Sequence, residues 1–422
     1  MELWTTPEGD TARADRRGVP RLTAYPGGVG SVDRQAAATT PVDLREARLA
    51  VTAVFFVNGA LVASWAPYIP RIKSDLGLST SSLGVVLLAM AVGAVSVMPA
   101  AGVMVERYGA RRVLALAVGI SYVALPFTLL APSALALAGV LAVMGAASGV
   151  TDVAMNANGA AVEHGYGRPV LSSLHGLWSV GGFVAAGTTA LVTALGVPAE
   201  LHLVVAAIVF GLLGLAACTR LMPAAERPGD RPAGWSRPTR LVLGLALISL
   251  AVFLAEGAIN DWGPLYLRSS LDESATVAAA GYAVFVGSMA IMRLTGDRLT
   301  ARAGRVPVVR FGALLAGIAL AAALILGQPT ATFIAFALTG LGLANVFPLV
   351  VSAAGRTGSP ALAIATVSTG GYAGILIGPP VIGFAADLFS LPIALGFVVG
   401  LCALIAALAG LVRGGRARGA GT

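Results

Sequence analysis

The chain has 422 residues, of which 57% are hydrophobic and 11% are charged, and its mean hydropathy is +0.85. An ordinary soluble domain has roughly 45–50% apolar and about 25% charged residues, so this composition excludes a soluble globular protein and also a disordered one. The net charge of +8 comes from 28 basic and 20 acidic residues, and this composition as a whole indicates a polytopic membrane protein.

Twelve apolar runs are long enough to cross a bilayer, which requires about 20 residues. We number them spans 1 to 12. Spans 1 to 6 are predicted at 48–68, 81–104, 113–131, 134–160, 171–194 and 199–219, and spans 7 to 12 at 241–267, 275–296, 307–326, 331–354, 362–386 and 391–412. Residues 1–44 lack such a run and are expected to form a disordered cytoplasmic tail, 220–240 a cytoplasmic linker, and 413–422 a second tail.

The distribution of basic residues predicts the orientation, because cytoplasmic loops are enriched in Lys and Arg. With both termini in the cytoplasm, only Arg71, Lys73 and Arg268 fall in outside loops, and Arg293 lies within a span. The other 24 basic residues are on the cytoplasmic side. Topology therefore explains the positive charge, and no nucleic-acid partner is expected.

Internal repetition divides the chain into two halves, at 45–219 and 241–412. Three pairs of motifs recur at nearly one offset: Trp65-Ala66-Pro67 and Trp262-Gly263-Pro264 are 197 residues apart, Asp152 and Asn345 are 193 apart, and Gly181-Gly182 and Gly370-Gly371 are 189 apart. Parallel six-span repeats are typical of one large class of secondary transporters. The predicted fold is all-α, with two pseudo-symmetric six-helix bundles.

The loop after span 2 contains a specific motif. It reads Gly102-Val-Met-Val-Glu106-Arg107-Tyr-Gly109-Ala-Arg111-Arg112 and fits G-x-x-x-[DE]-R-x-G-x-[RK]-[RK] at every fixed position. Glycines allow close helix approach and a tight turn, and the acid can pair with arginines at a helix end. Such a cluster can latch two helices in one conformation and release them in another. The alternative is an ordinary basic loop that contains glycines.

The second half has a degraded copy of this motif. Arg302 and Arg305 match its basic part, but Ala301 occupies the acidic position. Asp297 lies one turn earlier, with Arg293 at i, i+4 spacing. The sequence therefore leaves two alternatives for this half: no gating contact, or one formed by Asp297 with Arg293.

Several further motifs carry a resemblance to a known family. They are Ala63-Ser64-Trp65-Ala66, Met155-Asn156 followed by Gly159-Ala160-Ala161-Val162-Glu163, His175-Gly176, the run 255–262, Gly371-Tyr372 and Gly378-Pro379-Pro380. With them the chain resembles bacterial members of the major facilitator superfamily, in particular the MosC-like branch, and more distantly fucose permease. The resemblance implies twelve helices, a central cavity and alternating access, but no particular substrate.

Polar residues at membrane depth are candidates for function because they are expensive there. In the first half, Asp152 of span 4 and Asn156 share a helix face. Asp152 could be a protonatable carboxylate with Asn156 as its hydrogen-bond partner, or the two residues could form a hydrogen bond that only stabilises the structure. Asn58 lies near the centre of span 1. His175 and Trp178 share a face of span 5, where the histidine could shuttle protons or donate to a carbonyl.

The second half offers a richer set in span 7. Glu256 is near the bilayer centre, with Asn260 one turn later and Asp261 towards the outside. They suggest a proton or cation site, or recognition of a polyol or amine, although Asp261 could simply face outside water. Asn345 is the repeat equivalent of Asp152, and Tyr372 of span 11 could stack on a sugar face or belong to the core.

These features predict a proton-coupled secondary transporter of a small polar solute in the cytoplasmic membrane of a bacterium, acting as a monomer. The alternatives are proton-driven efflux of drugs or metabolites, a passive facilitator, and a membrane sensor. No nucleotide-binding loop of the type G-x-x-x-x-G-K-[ST] occurs, and the histidines and cysteines have no spacing typical of metal ligands. We therefore expect no cofactor, no metal and no enzymatic activity.

Overall fold

The structure is a computed structural model that describes residues 43–223 and 237–413. Within these residues, twelve helical segments are long and apolar enough to cross a membrane. The predicted all-α fold with twelve spans is confirmed. Most of the predicted tails, at 1–44 and 413–422, and of the linker at 220–240 lies outside the described residues.

The helices of the first half begin and end close to the predicted spans. Span 1 is Leu44–Trp65, continued by a 3-10 turn at Ala66–Tyr68 and a short helix at Ile69–Asp75; span 2 is Thr80–Tyr108; span 3 is Ala110–Ala124 with Phe127–Leu130; span 4 is Ala134–Tyr166; span 5 is Leu171–Ala194; and span 6 is Ala199–Cys218.

The helices of the second half follow the same order. Span 7 is Arg240–Leu265 with a π-helical turn at Tyr266–Ser270; span 8 is Ala275–Ala303; span 9 is Arg305–Leu326; span 10 is Pro329–Leu343 with Val346–Ala354; span 11 is Pro360–Leu388; and span 12 is Leu391–Leu408 with a 3-10 turn at Ala409–Arg413. We call the end where spans 2 and 3 are joined the cytoplasmic end, as the charge distribution predicts.

The two halves use the same residues to begin and end corresponding helices. Ser79 and Ser274 cap spans 2 and 8, and each side chain accepts a hydrogen bond from the backbone three residues later, at 3.1 and 3.2 Å. Both spans end at glycines with positive φ, Gly109 at 82° and Gly304 at 84°. Only glycine adopts this backbone conformation without strain, so the sharp turns into spans 3 and 9 depend on it.

Span 10 differs from its counterpart, span 4, because it is interrupted at Asn345. The carbonyl of Ala344 would normally accept a hydrogen bond from the residue four positions later, but that residue is Pro348, which has no N–H. The side chain of Arg293 donates to this carbonyl instead, through Nε at 3.4 Å. The carbonyl of Ala344 thus has a hydrogen-bond donor within the protein, which is required where no water is available.

Small residues bring spans 1 and 5 into close contact, and likewise spans 7 and 11. A Cβ atom added to Gly181 would collide with the carbonyl oxygen of Phe56, and one added to Gly374 would meet the carbonyl oxygen of Leu250. Helices in lipid associate by such close packing, since the surrounding lipid is as apolar as the side chains.

The halves touch each other from the bilayer centre to the cytoplasmic end. Gly102 of span 2 lies against Ala361 and Ala365 of span 11, Gly176 of span 5 against Leu294 of span 8, and Ala160 of span 4 against Gly355 just after span 10. The molecule is therefore closed at its cytoplasmic end.

Candidate functional site

Four polar side chains form a hydrogen-bonded chain at the centre of the molecule. Ser368 donates to Oδ2 of Asp152 at 2.7 Å. Asn156 donates through Nδ2 to the backbone carbonyl of Asp152 at 2.9 Å and to Oδ1 at 3.3 Å, and His175 Nε2 lies 3.0 Å from Asn156 Oδ1. All four residues are buried. The chain connects spans 4 and 5 of the first half to span 11 of the second.

The direction of the Asn156 amide determines where His175 carries its proton. A backbone carbonyl can only accept hydrogen bonds, so the amide nitrogen must face Asp152 and the amide oxygen must face His175. This orientation is assigned from the hydrogen-bond network. His175 therefore donates through Nε2 to this oxygen.

Aromatic rings surround this chain and span both halves. The ring of His175 packs edge-on against Phe55 and Phe347, at centroid distances of 5.0 and 5.4 Å. Phe253 contacts Phe347 at 4.7 Å and Tyr372 at 6.5 Å. The rings come from spans 1, 5, 7, 10 and 11, so apolar side chains of both halves lie next to the buried His175 end of the hydrogen-bonded chain.

A second charged group lies entirely in the second half. Glu256 of span 7 pairs with Arg293 of span 8, with Oε2 and Nη2 3.3 Å apart. The two side chains are 11% and 14% exposed. The expected pairing of Arg293 with Asp297 is replaced by this one, because span 8 turns Arg293 towards the bilayer centre and Asp297 towards span 5.

The remaining predicted site residues surround these two groups. Asn345 is buried at the break in span 10, against Gly296, and Asn260 is partly buried in span 7. Asn58 is buried in span 1, whereas Trp178 of span 5 is 37% exposed. Asp261 is exposed at the outer end of span 7.

The motif after span 2 lies against the start of span 11. Gly102 permits the approach described above, and Glu106 Oε1 lies 3.5 Å from the backbone nitrogen of Leu362. Arg111 donates to the carbonyl of Leu221 at 2.7 Å, at the end of the first half. Arg107 and Arg112 are exposed.

Glu163 at the cytoplasmic end of span 4 makes polar contacts both between the halves and within its own half. It forms an ion pair with Arg305 of span 9 at 2.7 Å and accepts a hydrogen bond from Ser352 of span 10. Within its own half it accepts from the backbone nitrogens of Val170 and Leu171 at 3.0 and 3.3 Å. Its side chain is only 5% exposed.

Asp297 completes this arrangement from the other half. Its two carboxylate oxygens accept from the backbone nitrogens of Ser172 and Ser173, each at 3.0 Å. The first N–H groups of a helix have no partner within the helix, and a negative charge there is favourable. The N–H groups at the start of span 5 therefore donate to two carboxylates, Glu163 of the first half and Asp297 of the second. Arg302, by contrast, is exposed at the end of span 8.

The sequence interpretation missed Ser368, Ser352 and Glu163 as contact residues. The serines carry no signal, because serine is common in membrane helices for packing reasons. Glu163 belongs to a motif that carries the family resemblance, and its position seven residues after Asn156, on the same helix face, is the one signal in the sequence for its role.

Comparison with known proteins now decides the family. The family model described as Major Facilitator Superfamily matches residues 51–360 and 245–421. The chain belongs to this superfamily. It is 38% identical over 357 residues to an uncharacterised MFS-type transporter of Yersinia pestis, covering 84% of this chain and 93% of that one. It is 31% identical to the membrane protein MosC of Rhizobium meliloti, over 85% and 89% of the two chains.

Solved structures agree with this assignment at the level of the fold. The crystal structure of the MFS transporter FucP in the outward conformation matches with a TM-score of 0.73 at 14% identity, covering 86% of this chain and 98% of that one. Human MFSD10, described as an organic anion transporter, matches with a TM-score of 0.67 at 16% identity, over 88% and 100%. The protein is thus a multi-pass membrane protein and a secondary transporter of the superfamily, as predicted, and not an enzyme.

Proposed function

We propose that this MFS transporter couples the movement of a small polar solute, of the sugar or polyol type, to that of protons, and that Asp152 carries the proton. The observation that supports this most is the hydrogen bond between Asp152 and Ser368, which joins the two halves at the centre of the membrane. The setting we propose is the cytoplasmic membrane of a bacterium, with a monomer as the transporting unit.

Asp152 differs from the other central carboxylate in its counter-charge. Glu256 has Arg293 beside it, whereas Asp152 has two hydrogen-bond donors and, among the residues that the structure describes, no basic group within ion-pair distance. An unpaired carboxylate in a buried site is expensive, and protonation removes that expense. Of the two carboxylates, Asp152 is therefore the better proton carrier.

The position of Ser368 explains how proton binding can be coupled to conformation. Ser368 belongs to span 11 and Asp152 to span 4, so a movement of the halves that opens the cytoplasmic end separates them. The carboxylate then loses one of its two donors, and its affinity for a proton changes with the conformation. Such a difference between two states is what coupling requires thermodynamically.

The solute class rests on two supports. Glu256 and Arg293 are hydrogen-bonding groups of the second half, and Asn260 follows one turn after Glu256, which suits polyhydroxylated compounds. In addition, a second solved structure with this fold is described as the E. coli fucose:proton symporter, with a TM-score of 0.70.

The test is transport by the purified protein in proteoliposomes. A panel of sugars, polyols and amines is offered under an imposed pH gradient, and accumulation against the solute gradient is measured. We expect the Asp152→Asn variant to lose pH-driven accumulation while retaining exchange of solute down its gradient. Asp387→Asn, an exposed aspartate at the end of span 11, is the matched control. Undiminished accumulation by Asp152→Asn would remove Asp152 from the coupling role.

A further inference from the structure

The pair formed by Glu256 and Arg293 has hydrogen-bonding capacity that the protein does not use. A guanidinium has five N–H groups, of which Nε serves the carbonyl of Ala344 and one N–H of Nη2 serves Glu256. Among the residues that the structure describes, the two N–H groups of Nη1 and the Oε1 atom of Glu256 have no partner. Unused donors and an unused acceptor therefore belong to one ion pair.

The side chains of Glu256 and Arg293 are slightly exposed, by 11% and 14%. Both belong to predicted membrane spans, where exposure of a charge to lipid is strongly unfavourable. We therefore take the exposed edge of the pair to face the protein interior between the helices and not the lipid. Neither Nη1 nor Oε1 is among the buried atoms that lack a partner, whereas Oδ1 of Asn260, one turn after Glu256, is buried without one.

The contact between the two side chains is weak enough to admit a ligand. Charge-assisted N–H···O bonds are usually about 2.7–2.9 Å long, and the strongest arginine pairs are bidentate. Here a single contact of 3.3 Å joins them. Arg293 has a second partner in the carbonyl of Ala344, which its Nε reaches at 3.4 Å, so the guanidinium does not depend on Glu256 alone for its position.

The charge of the pair limits what such a ligand can be. Glu256 and Arg293 neutralise each other, so a ligand with a net charge would leave one uncompensated charge in a site of low dielectric constant. A neutral ligand must donate to Glu256 and accept from Arg293 at neighbouring atoms. Two adjacent hydroxyl groups do both, since each hydroxyl is a donor and an acceptor.

We propose that the Glu256 and Arg293 pair is the solute-binding element, and that it recognises two adjacent hydroxyl groups of a neutral sugar or cyclitol. One hydroxyl donates to Glu256 Oε1, its neighbour accepts from Arg293 Nη1, and Asn260 provides a third polar contact. The inference rests on the proposed solute class, and it assigns a separate role to each half. The first half holds the proton at Asp152, and the second half holds the solute.

The experiment measures equilibrium binding to the purified full-length protein without any proton gradient. The probes are neutral compounds with adjacent hydroxyls (myo-inositol, scyllo-inositol, glucose, fucose, xylose and mannitol), deoxy analogues that lack one of two adjacent hydroxyls, glucuronate and glucosamine. Tryptophan fluorescence is the readout. We expect one or more of the neutral compounds to bind, and its deoxy analogue to bind at least about 10-fold more weakly, since hydrogen bonds to charged groups are lost.

Variants test the assignment of the two residues. Arg293→Lys keeps the charge but loses the fork of donors, and the double variant Glu256→Gln with Arg293→Gln keeps the site neutral if a single variant fails to fold. Both should weaken binding at least about 10-fold. Arg310→Gln is the matched control, because Arg310 also donates through Nε to a helix carbonyl, that of Ala406, but lies at the start of span 9.

The outcomes separate this inference from the proposed proton coupling. Asp387→Asn should bind the solute with little change, because Asp387 is exposed at the end of span 11 and belongs neither to the binding element nor to the proton site. Binding of glucuronate or glucosamine alone, binding of none of the neutral probes, or full binding by the double variant would each overturn the inference. The role of Asp152 would stand or fall separately, on accumulation under the pH gradient.

Discussion

Glu163 offers the sharpest test of how the cytoplasmic end is held closed. Its bonds to the backbone of Val170 and Leu171 lie within the first half, so they persist when the halves move apart. Its bonds to Arg305 and Ser352 cross between the halves, so they exist only in the closed arrangement. Replacing Glu163 by Gln removes the charge and keeps the size, and thus acts mainly on the second set.

The magnitude follows from the contacts that differ between the two states. A hydrogen bond to a charged group contributes about 1.5–3 kcal/mol net. Because Glu163 and Arg305 are hydrated once the halves separate, we take about 2 kcal/mol for the difference. Since about 1.4 kcal/mol corresponds to a factor of ten, Glu163→Gln should lower the ratio of outward-facing to inward-facing molecules about 30-fold.

The assay measures the distance between two spin labels at the cytoplasmic end. Ala161 of span 4 and Ala303 of span 8 are exposed, and their replacement by cysteine is a small change. The native Cys218 and Cys402 are buried, and their lack of labelling is checked in the parent protein. We expect the short distance to dominate in the parent and a longer one to appear in Glu163→Gln.

Two further variants show whether the reasoning is correct. Arg305→Gln should produce the same shift, and the double variant should produce little more than either single one, because both remove one interaction. Glu46→Gln is the control, since Glu46 pairs with Arg220 on the exposed surface of the same half. An unchanged distance distribution in Glu163→Gln would refute the assignment of this residue as a latch.

Two other predictions concern the helix ends and the helix contacts. Asp297→Ala removes a cap that one half provides to the other; such a cap contributes about 1 kcal/mol, so the same spin-label assay should show a roughly fivefold shift towards the inward-facing state. Gly181→Leu should prevent folding, because its side chain would collide with the carbonyl of Phe56, whereas Gly187→Leu, with open space around it, should not. Size-exclusion chromatography in detergent distinguishes the two.

Most of the fold could be predicted from the sequence because each of its causes is local. A bilayer requires about 20 apolar residues for each crossing, and the chain has twelve such runs. The repeat was visible in residues that allow helices to touch, such as Gly181 and Gly370, which lie against the backbone of Phe56 and Ala246. The break in span 10 also has a local cause, because Pro348 has no N–H to donate to the carbonyl of Ala344. The sequence does not indicate that Arg293 of span 8 donates to this carbonyl instead.

Within the candidate site, only contacts between residues of the same helix could be predicted from the sequence. The contact between Asp152 and Asn156 follows from i, i+4 spacing on span 4, and the structure contains it. The same rule suggested Arg293 with Asp297, where it failed. A long arginine side chain reaches several neighbours, and burial next to Glu256 and a freed carbonyl outweighed a contact of a few tenths of a kcal/mol on a helix surface.

The sequence by itself therefore determined the number of spans, which the structure confirms, because hydrophobicity acts on each segment separately. The division into halves and the side of the membrane on which the charges lie stay predictions from the sequence. Only the tertiary structure decided that Ser368 meets Asp152, that Glu256 meets Arg293 and that Glu163 meets Arg305. These pairs are separated by 37 to 216 residues along the chain, and hydrogen bonds and ion pairs act only at contact distance. Which partners come into contact is set by how the helices pack.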